Sequence, residues 1–194
     1  MKTMDLVYTA LFAALICILA PISLPAGEIP VSLATFAIYI AAAVGGWKRG
    51  TLAVIVYILI GAAGMPVFAG FSGGVQKLAG VTGGYILGYI PCALIIGYLA
   101  NLNRIDRRKE NGQDADFGSR RLVCRKWILP FSMLIGTLIC YTLGTSWFIL
   151  QTGNDPVAAL TMCVVPFLLG DAVKILAASA IVPVLRNALK FSYS

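Results

Sequence analysis

Histidine is absent from this sequence, and charged residues are scarce. Charged residues make up 12% of the 194 positions and hydrophobic residues 59%, whereas soluble domains have about 25% and about 45–50%. Without histidine, a Ser-His or Cys-His catalytic pair cannot form, and the commonest metal ligand is missing. The phosphate-binding pattern G-x-x-x-x-G-K-[ST] is also absent. These absences predict a membrane protein that is not an enzyme and that needs no metal or cofactor.

The cysteines form no pattern typical of disulfides or of a metal site. There are 5 of them, an odd number, with no C-x-x-C pair, and most lie in apolar stretches. They are Cys17, Cys92, Cys124, Cys140 and Cys163. Free cysteine behaves as a small buried apolar residue, so we interpret these positions as packing residues.

Six apolar stretches reach or approach the length of about 20 residues that a helix needs to cross a bilayer. The second and third stretches are separated only by a short turn at 46–50, which predicts a helical hairpin. We therefore predict an all-α integral membrane protein with six transmembrane helices in a single domain, 1–194, and a polar loop at 101–126. The stretches cover about 6–23, 31–46, 51–67, 80–100, 127–150 and 157–185.

The basic residues are unevenly placed along the chain. Of the 15 lysines and arginines, 13 lie in segments 1–5, 47–50, 101–126 and 186–194. The positive-inside rule assigns such segments to the cytoplasmic side. We therefore expect both termini in the cytoplasm and membrane lipid around the helices. The same rule accounts for the net charge of +7, so we do not expect a nucleic-acid partner.

Asp171 and Lys174 lie within the last apolar stretch. A charge at this depth costs about 2.5–3.5 kcal/mol on insertion scales, and a spacing of three places both side chains on one helix face. They can form a self-neutralising ion pair, or they can bind a small polar ligand. A proton relay is a third interpretation, but the other membrane acids or histidines that it needs are missing.

Two predicted outer segments are rich in glycine and proline yet apolar. Segment 24–30 is short, whereas 64–84 is long and aromatic. Solvated linkers are polar, so the longer segment predicts either a lid over an outward-facing pocket or a tightly packed re-entrant turn. Gly80, Gly84 and Gly88 recur at every fourth position, which favours close helix packing.

The residues around the longer segment supply further candidates, each with two interpretations. Thr82, Gly83 and Gly84 can present backbone N–H groups to a ligand at a helix start, or the glycines can serve packing alone. Tyr85 can line a pocket or lie in the interfacial aromatic belt, as can Trp147. In the first stretch, Ala10-x-x-x-Ala14 indicates either internal packing or a docking face for another membrane protein.

Five segments together resemble the BioY family, the biotin-specific S components of energy-coupling-factor (ECF) vitamin transporters. The resemblance covers most of the chain, with departures at Val81, where the family usually has proline, and at Ala34, where many members have glutamine. The departure at 34 removes a possible polar contact, so we leave that residue out of the predicted site. The segments are GEIPVSLATFAIYIAAAVGGWKRG (27–50), YILIGAAGMPVFAGFSGG (57–74), LAGVTGGYILGYI (78–90), YTLGTSWF (141–148) and VPFLLGDAVKI (165–175).

The resemblance implies the six-helix ECF S-component fold and high-affinity biotin binding and uptake across the cell membrane of a prokaryote. It implies that Asp171 and Lys174 are the family's acid and base, and that Tyr85 lies in the site. The implied partners are a transmembrane coupling protein and two ATPase subunits, docked at Ala10 and Ala14. An S component for another small vitamin and a non-transport membrane assembly protein remain the alternatives.

The chemistry of biotin suggests a role for each polar candidate. Asp171 can accept hydrogen bonds from the ureido N–H groups, and Lys174 can meet the ureido carbonyl or, less easily, the valerate carboxylate. The two ends of biotin lie farther apart than Asp171 and Lys174 do. For this reason Gln76 and Lys77, on the outer segment, are candidates for binding the carboxylate.

Overall fold

The fold is almost entirely helical in the computed structural model, which describes residues 3–24, 30–110 and 118–188. Two very short strands form an antiparallel hairpin in which Ser23 lies opposite Ser32. In chain order the described elements are α1 Thr3–Leu19, β1 Ser23–Leu24, β2 Val31–Ser32, α2 Ala34–Ala62, α3 Val75–Ala79, α4 Gly83–Glu110, α5 Gly118–Thr152, α6 Pro156–Cys163 and α7 Val165–Ala188.

Helix α2 consists of two antiparallel arms, residues 34–45 and 47–62. Gly46, between them, has φ 77° and ψ 179°, which is not helical. A Cβ built on Gly50 would lie 2.6 Å from the Cα of Ala42, although residues eight apart in a continuous helix are about 12 Å apart. The chain therefore reverses at Gly46, and the predicted helical hairpin is present.

Four helical ranges are long and apolar enough to cross a membrane within the described part of the chain. They are Ala34–Ala62, Gly83–Leu102, Trp127–Thr152 and Phe167–Arg186. Helix α1, with 17 residues, is apolar but shorter. Because the first of the four ranges contains both arms of α2, it must not be counted as one straight helix.

Two predicted boundaries are wrong. Stretch 157–185 was expected to be one helix, but Val164 (φ −118°, ψ −49°) separates α6 from α7, and Pro166 just beyond it lacks a backbone N–H. Segment 101–126 was expected to be a loop, yet α4 runs to Glu110 and α5 begins at Gly118. Its Arg, Lys and Leu residues are good helix formers, so its polarity does not exclude helix. Residues 111–117 lie outside the described residues.

The glycines spaced by four bring α4 close to α5. A Cβ on Gly84 would lie 2.2 Å from the Cβ of Trp147, and one on Gly88 would lie 3.3 Å from the Sγ of Cys140. The packing interpretation of this face is therefore supported. Cys17, Cys92 and Cys140 are free thiols in the structure.

One end of the helix bundle is basic. Arg49, in the first turn of the second arm of α2, forms an ion pair with Asp5 of α1, and its guanidinium lies 5.5 Å from the ring centroid of Tyr8. Arg186, near the end of α7, donates two hydrogen bonds to the carbonyl of Ala43. The β-hairpin, segment 63–82 and the start of α7 lie at the opposite end, where the polar residues described next come together.

Candidate binding site

Three helices hold the carboxylate of Asp171. Its Oδ1 accepts hydrogen bonds from Nζ of Lys174 (2.8 Å) and from Oγ1 of Thr35 (3.2 Å), and its Oδ2 accepts one from the hydroxyl of Tyr141 (2.5 Å). Lys174 shares α7 with the acid, whereas Thr35 lies on the first arm of α2 and Tyr141 on α5. The side chains of Asp171 and Lys174 are only 5% and 10% exposed, so this charge pair is buried at a junction of helices.

The ammonium of Lys174 uses all three of its N–H groups within the protein. Besides Asp171, it donates to the backbone carbonyl of Ser32 (2.7 Å) and to Oγ1 of Thr35 (3.1 Å). The threonine hydroxyl thus accepts from the base while it donates to the acid. A buried ion pair persists only where extra hydrogen bonds satisfy both charges, and this network meets that condition.

A cleft lies next to this network. The space between its walls, open solvent included, is about 430 Å³. Ser32 belongs to its lining and also gives its carbonyl to Lys174, so the ion pair lies behind Ser32. The lining residues are Pro30, Ser32, Tyr57, Phe68, Ala69, Ser72, Lys77, Thr82, Tyr85, Ile86 and Tyr89.

Helix α5 connects the cleft to the ion pair. Tyr85 lines the cleft, and its hydroxyl shares a hydrogen bond with Oγ1 of Thr145 (3.0 Å). Thr145 is one turn from Tyr141, which holds Asp171. A Cβ on Gly144 would lie 2.3 Å from the Tyr85 ring, so glycine is needed for the ring to pack there. Tyr141 and Thr145, both in segment 141–148, therefore contact predicted site residues, and the sequence alone predicts neither contact.

The other candidates of the outer segment divide into two groups. Lys77 and Thr82 line the cleft, whereas Gln76, which like Lys77 is exposed, is not among the lining residues. The buried Gly83 and Gly84 serve tight packing: a Cβ on Gly83 would lie 1.8 Å from the carbonyl oxygen of Leu78.

Trp147 does not line the cleft. Its Nε1 donates to the carbonyl of Gly80 at 3.0 Å, so it anchors segment 64–84 to α5 from outside the cleft. In α1, Ala10 and Ala14 are both exposed, whereas Ala13 faces the core. The two alanines therefore lie on a face that packs against no described element.

Three residues of the network were missed at the sequence level. Ser32 acts through its backbone carbonyl, which no side-chain pattern reveals. Thr35 and Tyr141 are single polar residues in apolar helices, and only their contacts with Asp171 and Lys174 identify them.

The sequence profile of the BioY family matches residues 1–191 of the chain. The chain belongs to the BioY family. It is 39% identical over 178 residues to the "Biotin transporter BioY" of Thermotoga maritima, covering 91% of this chain and 92% of that protein. It is also 35% identical over 182 residues to the "Probable biotin transporter BioY" of Pyrococcus horikoshii, covering 94% of each.

The fold of this BioY-family chain is similar to that of a solved S component. The crystal structure of "the S-component for biotin from an ECF-type ABC transporter" matches with a TM-score of 0.78 at 26% sequence identity. The match covers 96% of this chain and 92% of the solved one. The likeness therefore extends to the whole helical arrangement around Asp171 and Lys174.

Proposed function

We propose that this chain is the substrate-binding subunit through which an ECF transporter takes up biotin. The observation that carries the proposal is the buried, hydrogen-bonded Asp171–Lys174 pair beside a cleft lined by aromatic and polar side chains. Membership of the BioY family and the names of its relatives support the choice of biotin. The protein is a transporter subunit and not an enzyme.

The ureido ring of biotin suits the polar network. An ionised carboxylate has about four acceptor positions, and Asp171 uses one on Oδ2 and two on Oδ1. Oδ2 therefore keeps a position for a ureido N–H. All three N–H groups of Lys174 already donate hydrogen bonds. Lys174 can therefore donate to the ureido carbonyl only if its hydrogen bond to Ser32 or Thr35 breaks. Because Ser32 lies between the cleft and the pair, binding requires segment 30–33 to shift.

The rest of the ligand matches the cleft. Tyr57 and Phe68 pack edge to face, with ring centroids 5.6 Å apart, and with Tyr85 they offer aromatic surface to the thioether ring. Lys77 alone carries a full charge among the described residues that line the cleft. We assign it to the valerate carboxylate in preference to Gln76.

The chain, as we propose it, is a single domain that crosses the cell membrane of a prokaryote six times, with both termini in the cytoplasm. The arms of α2 supply two of the crossings. The clustering of Lys48, Arg49 and Arg186 at one end supports this orientation, and the cleft at the other end then faces outward. Ala10 and Ala14 form the docking face for the transmembrane coupling protein, which two ATPases drive.

Titration of the purified protein with biotin tests the proposal. Asp171→Asn and Lys174→Ala are expected to weaken binding by about 100-fold, because each leaves charged or polar partners buried without their match. The matched controls are Asp155→Asn, which changes an exposed acid at the same end of the bundle as Asp171, and Lys48→Ala, which changes a lysine at the basic end. Both should keep wild-type affinity for biotin.

Three outcomes would contradict the proposal. Wild-type affinity in both Asp171→Asn and Lys174→Ala would remove the site assignment. Binding of thiamine or riboflavin but not of biotin would identify an S component for another vitamin. If no solute binds and none is found by mass spectrometry of the purified protein, the assembly-protein alternative is favoured.

A further inference from the structure

Helix α3 is too short to be stable without help. It has 5 residues, Val75–Ala79, and it lies at the rim of the cleft. Isolated helices shorter than about 12–15 residues are marginal in water, and the last four carbonyls of any helix have no partner within it. The position of α3 must therefore depend on contacts made from outside.

Side chains from helix α5 and from the residue before α4 supply hydrogen bonds to the C-terminal end of α3. Trp147 Nε1 donates to the carbonyl of Gly80 (3.0 Å), and Gln151 Nε2 donates to that of Ala79 (3.1 Å). Thr82 Oγ1 donates to the carbonyl of Lys77 (3.5 Å). Trp147 and Gln151 are four residues apart, so one face of α5 holds the end of α3.

The glycines at the start of α4 make this attachment possible. Gly84 lets the backbone of α4 approach Trp147, because any Cβ there would lie 2.2 Å from the tryptophan Cβ. Gly83 likewise lets the chain turn directly beneath Leu78 of α3. These close approaches place the indole N–H of Trp147 within reach of Gly80.

The consequence of this attachment concerns Lys77. It lies in the middle of α3 and lines the cleft, whereas its neighbours Val75 and Gln76 do not, although all three residues are exposed. We infer that Trp147 and Gln151 are positioning residues for ligand specificity: by fixing α3 against α5 they hold Lys77 where it meets the carboxylate of the ligand. This inference rests on the proposed function, since it takes biotin as the ligand.

The test compares biotin with biotin amide, which has nearly the same shape but no charge. The measured quantity is the ratio of the two dissociation constants. For the wild type we expect biotin to bind about three- to tenfold more tightly than the amide, as for a partly exposed ion pair. Lys77→Met gives the ratio without the cation, expected to be close to one.

The decisive variant is Trp147→Phe with Gln151→Leu, which removes both donors and keeps most of the packing. We expect its ratio to fall below about twofold while its affinity for the amide changes by less than about twofold. Gln151→Leu alone alters only an exposed side chain and is expected to give an intermediate ratio. Trp127→Phe, on the same helix but 69% exposed and about 30 Å along the helix from Trp147, should keep the wild-type ratio.

The possible failures are distinguishable. A wild-type ratio in the double variant, or an equal loss of affinity for both ligands, would overturn the positioning role. A wild-type ratio in Lys77→Met would show that the carboxylate binds elsewhere and would also overturn the inference, while biotin binding itself would stand. Absence of biotin binding by the wild type would instead overturn the proposed function.

Discussion

Lys174 has a structural role as well as a proposed binding role. It connects the acid on its own helix to the hydroxyl of Thr35 on α2 and to the carbonyl of Ser32 beside the cleft. Removing one member of a buried pair leaves the other charge uncompensated, whereas neutralising both members does not. Stability and binding therefore respond differently to single and double substitution.

Substitution at both positions separates these two roles. Lys174→Met is expected to lower the free energy of unfolding by about 3–5 kcal/mol. Adding Asp171→Asn should restore most of that loss, because the amide oxygen can still accept hydrogen bonds from Tyr141 or Thr35. Both variants should bind biotin at least about 100-fold more weakly than the wild type. Denaturant titration in detergent micelles gives the stability, and a double variant with wild-type affinity for biotin would show that the pair is structural only.

At the scale of the elements, the reversal at Gly46 determines how the arms of α2 lie. With φ 77° and ψ 179°, residue 46 occupies a region that only glycine adopts readily. Directly before it the first arm ends, and Arg186 of α7 hydrogen bonds to the carbonyl of Ala43 in the last turn of that arm. The turn thus joins α1, α2 and α7 at the basic end.

Gly46→Ala should destabilise the protein by about 1–3 kcal/mol, because the backbone of alanine is strained in this conformation. Gly170→Ala is the control: Gly170 is helical, and its added Cβ would meet only Val31 at an ordinary 3.6 Å, so we expect little change or a small gain. Thermal unfolding in detergent measures both variants. Equal stability of the two variants would contradict the reversal at Gly46.

The helices and strands differ in how far the sequence predicts them. The hairpin of α2 could be predicted because a Gly-Trp-Lys-Arg-Gly turn separates two apolar stretches. The β-hairpin and α3 could not, because strands of two residues and a helix of five are stabilised by distant contacts such as those of Trp147 and Gln151. The same applies to the break at Val164.

The candidate site likewise contains residues that the sequence predicts and residues that only the fold brings to the site. Asp171, Lys174 and Tyr85 stood out by residue type in an apolar context, and the structure places all three in or beside the cleft. The carbonyl of Ser32 and the hydroxyls of Thr35 and Tyr141 are ordinary groups that become site residues only through the fold.

At the scale of the whole molecule, the proposed orientation places Lys48 and Lys77 on opposite sides of the membrane. In a variant whose 5 cysteines are replaced, a single cysteine at 77 should react with a membrane-impermeant maleimide on intact cells. A cysteine at 48 should react only after the cells are permeabilised, because the positive-inside rule assigns that turn to the cytoplasm. Labelling of position 48 on intact cells would reverse the proposed topology.

The exposed alanine face of α1 predicts a separation of binding from transport. Ala14→Trp places a large ring on the proposed docking face, where a partner helix would need close approach, and no described residue of α1 lines the cleft. Biotin affinity of the isolated chain should therefore stay within about twofold of wild type, while uptake by cells that supply the coupling protein and ATPases should fall at least about tenfold. Leu138→Trp, on an exposed face of α5, should reduce neither. Loss of uptake in both variants would mean that any bulky substitution on the lipid-facing surface disturbs transport, and Ala10 and Ala14 would then not define the docking face.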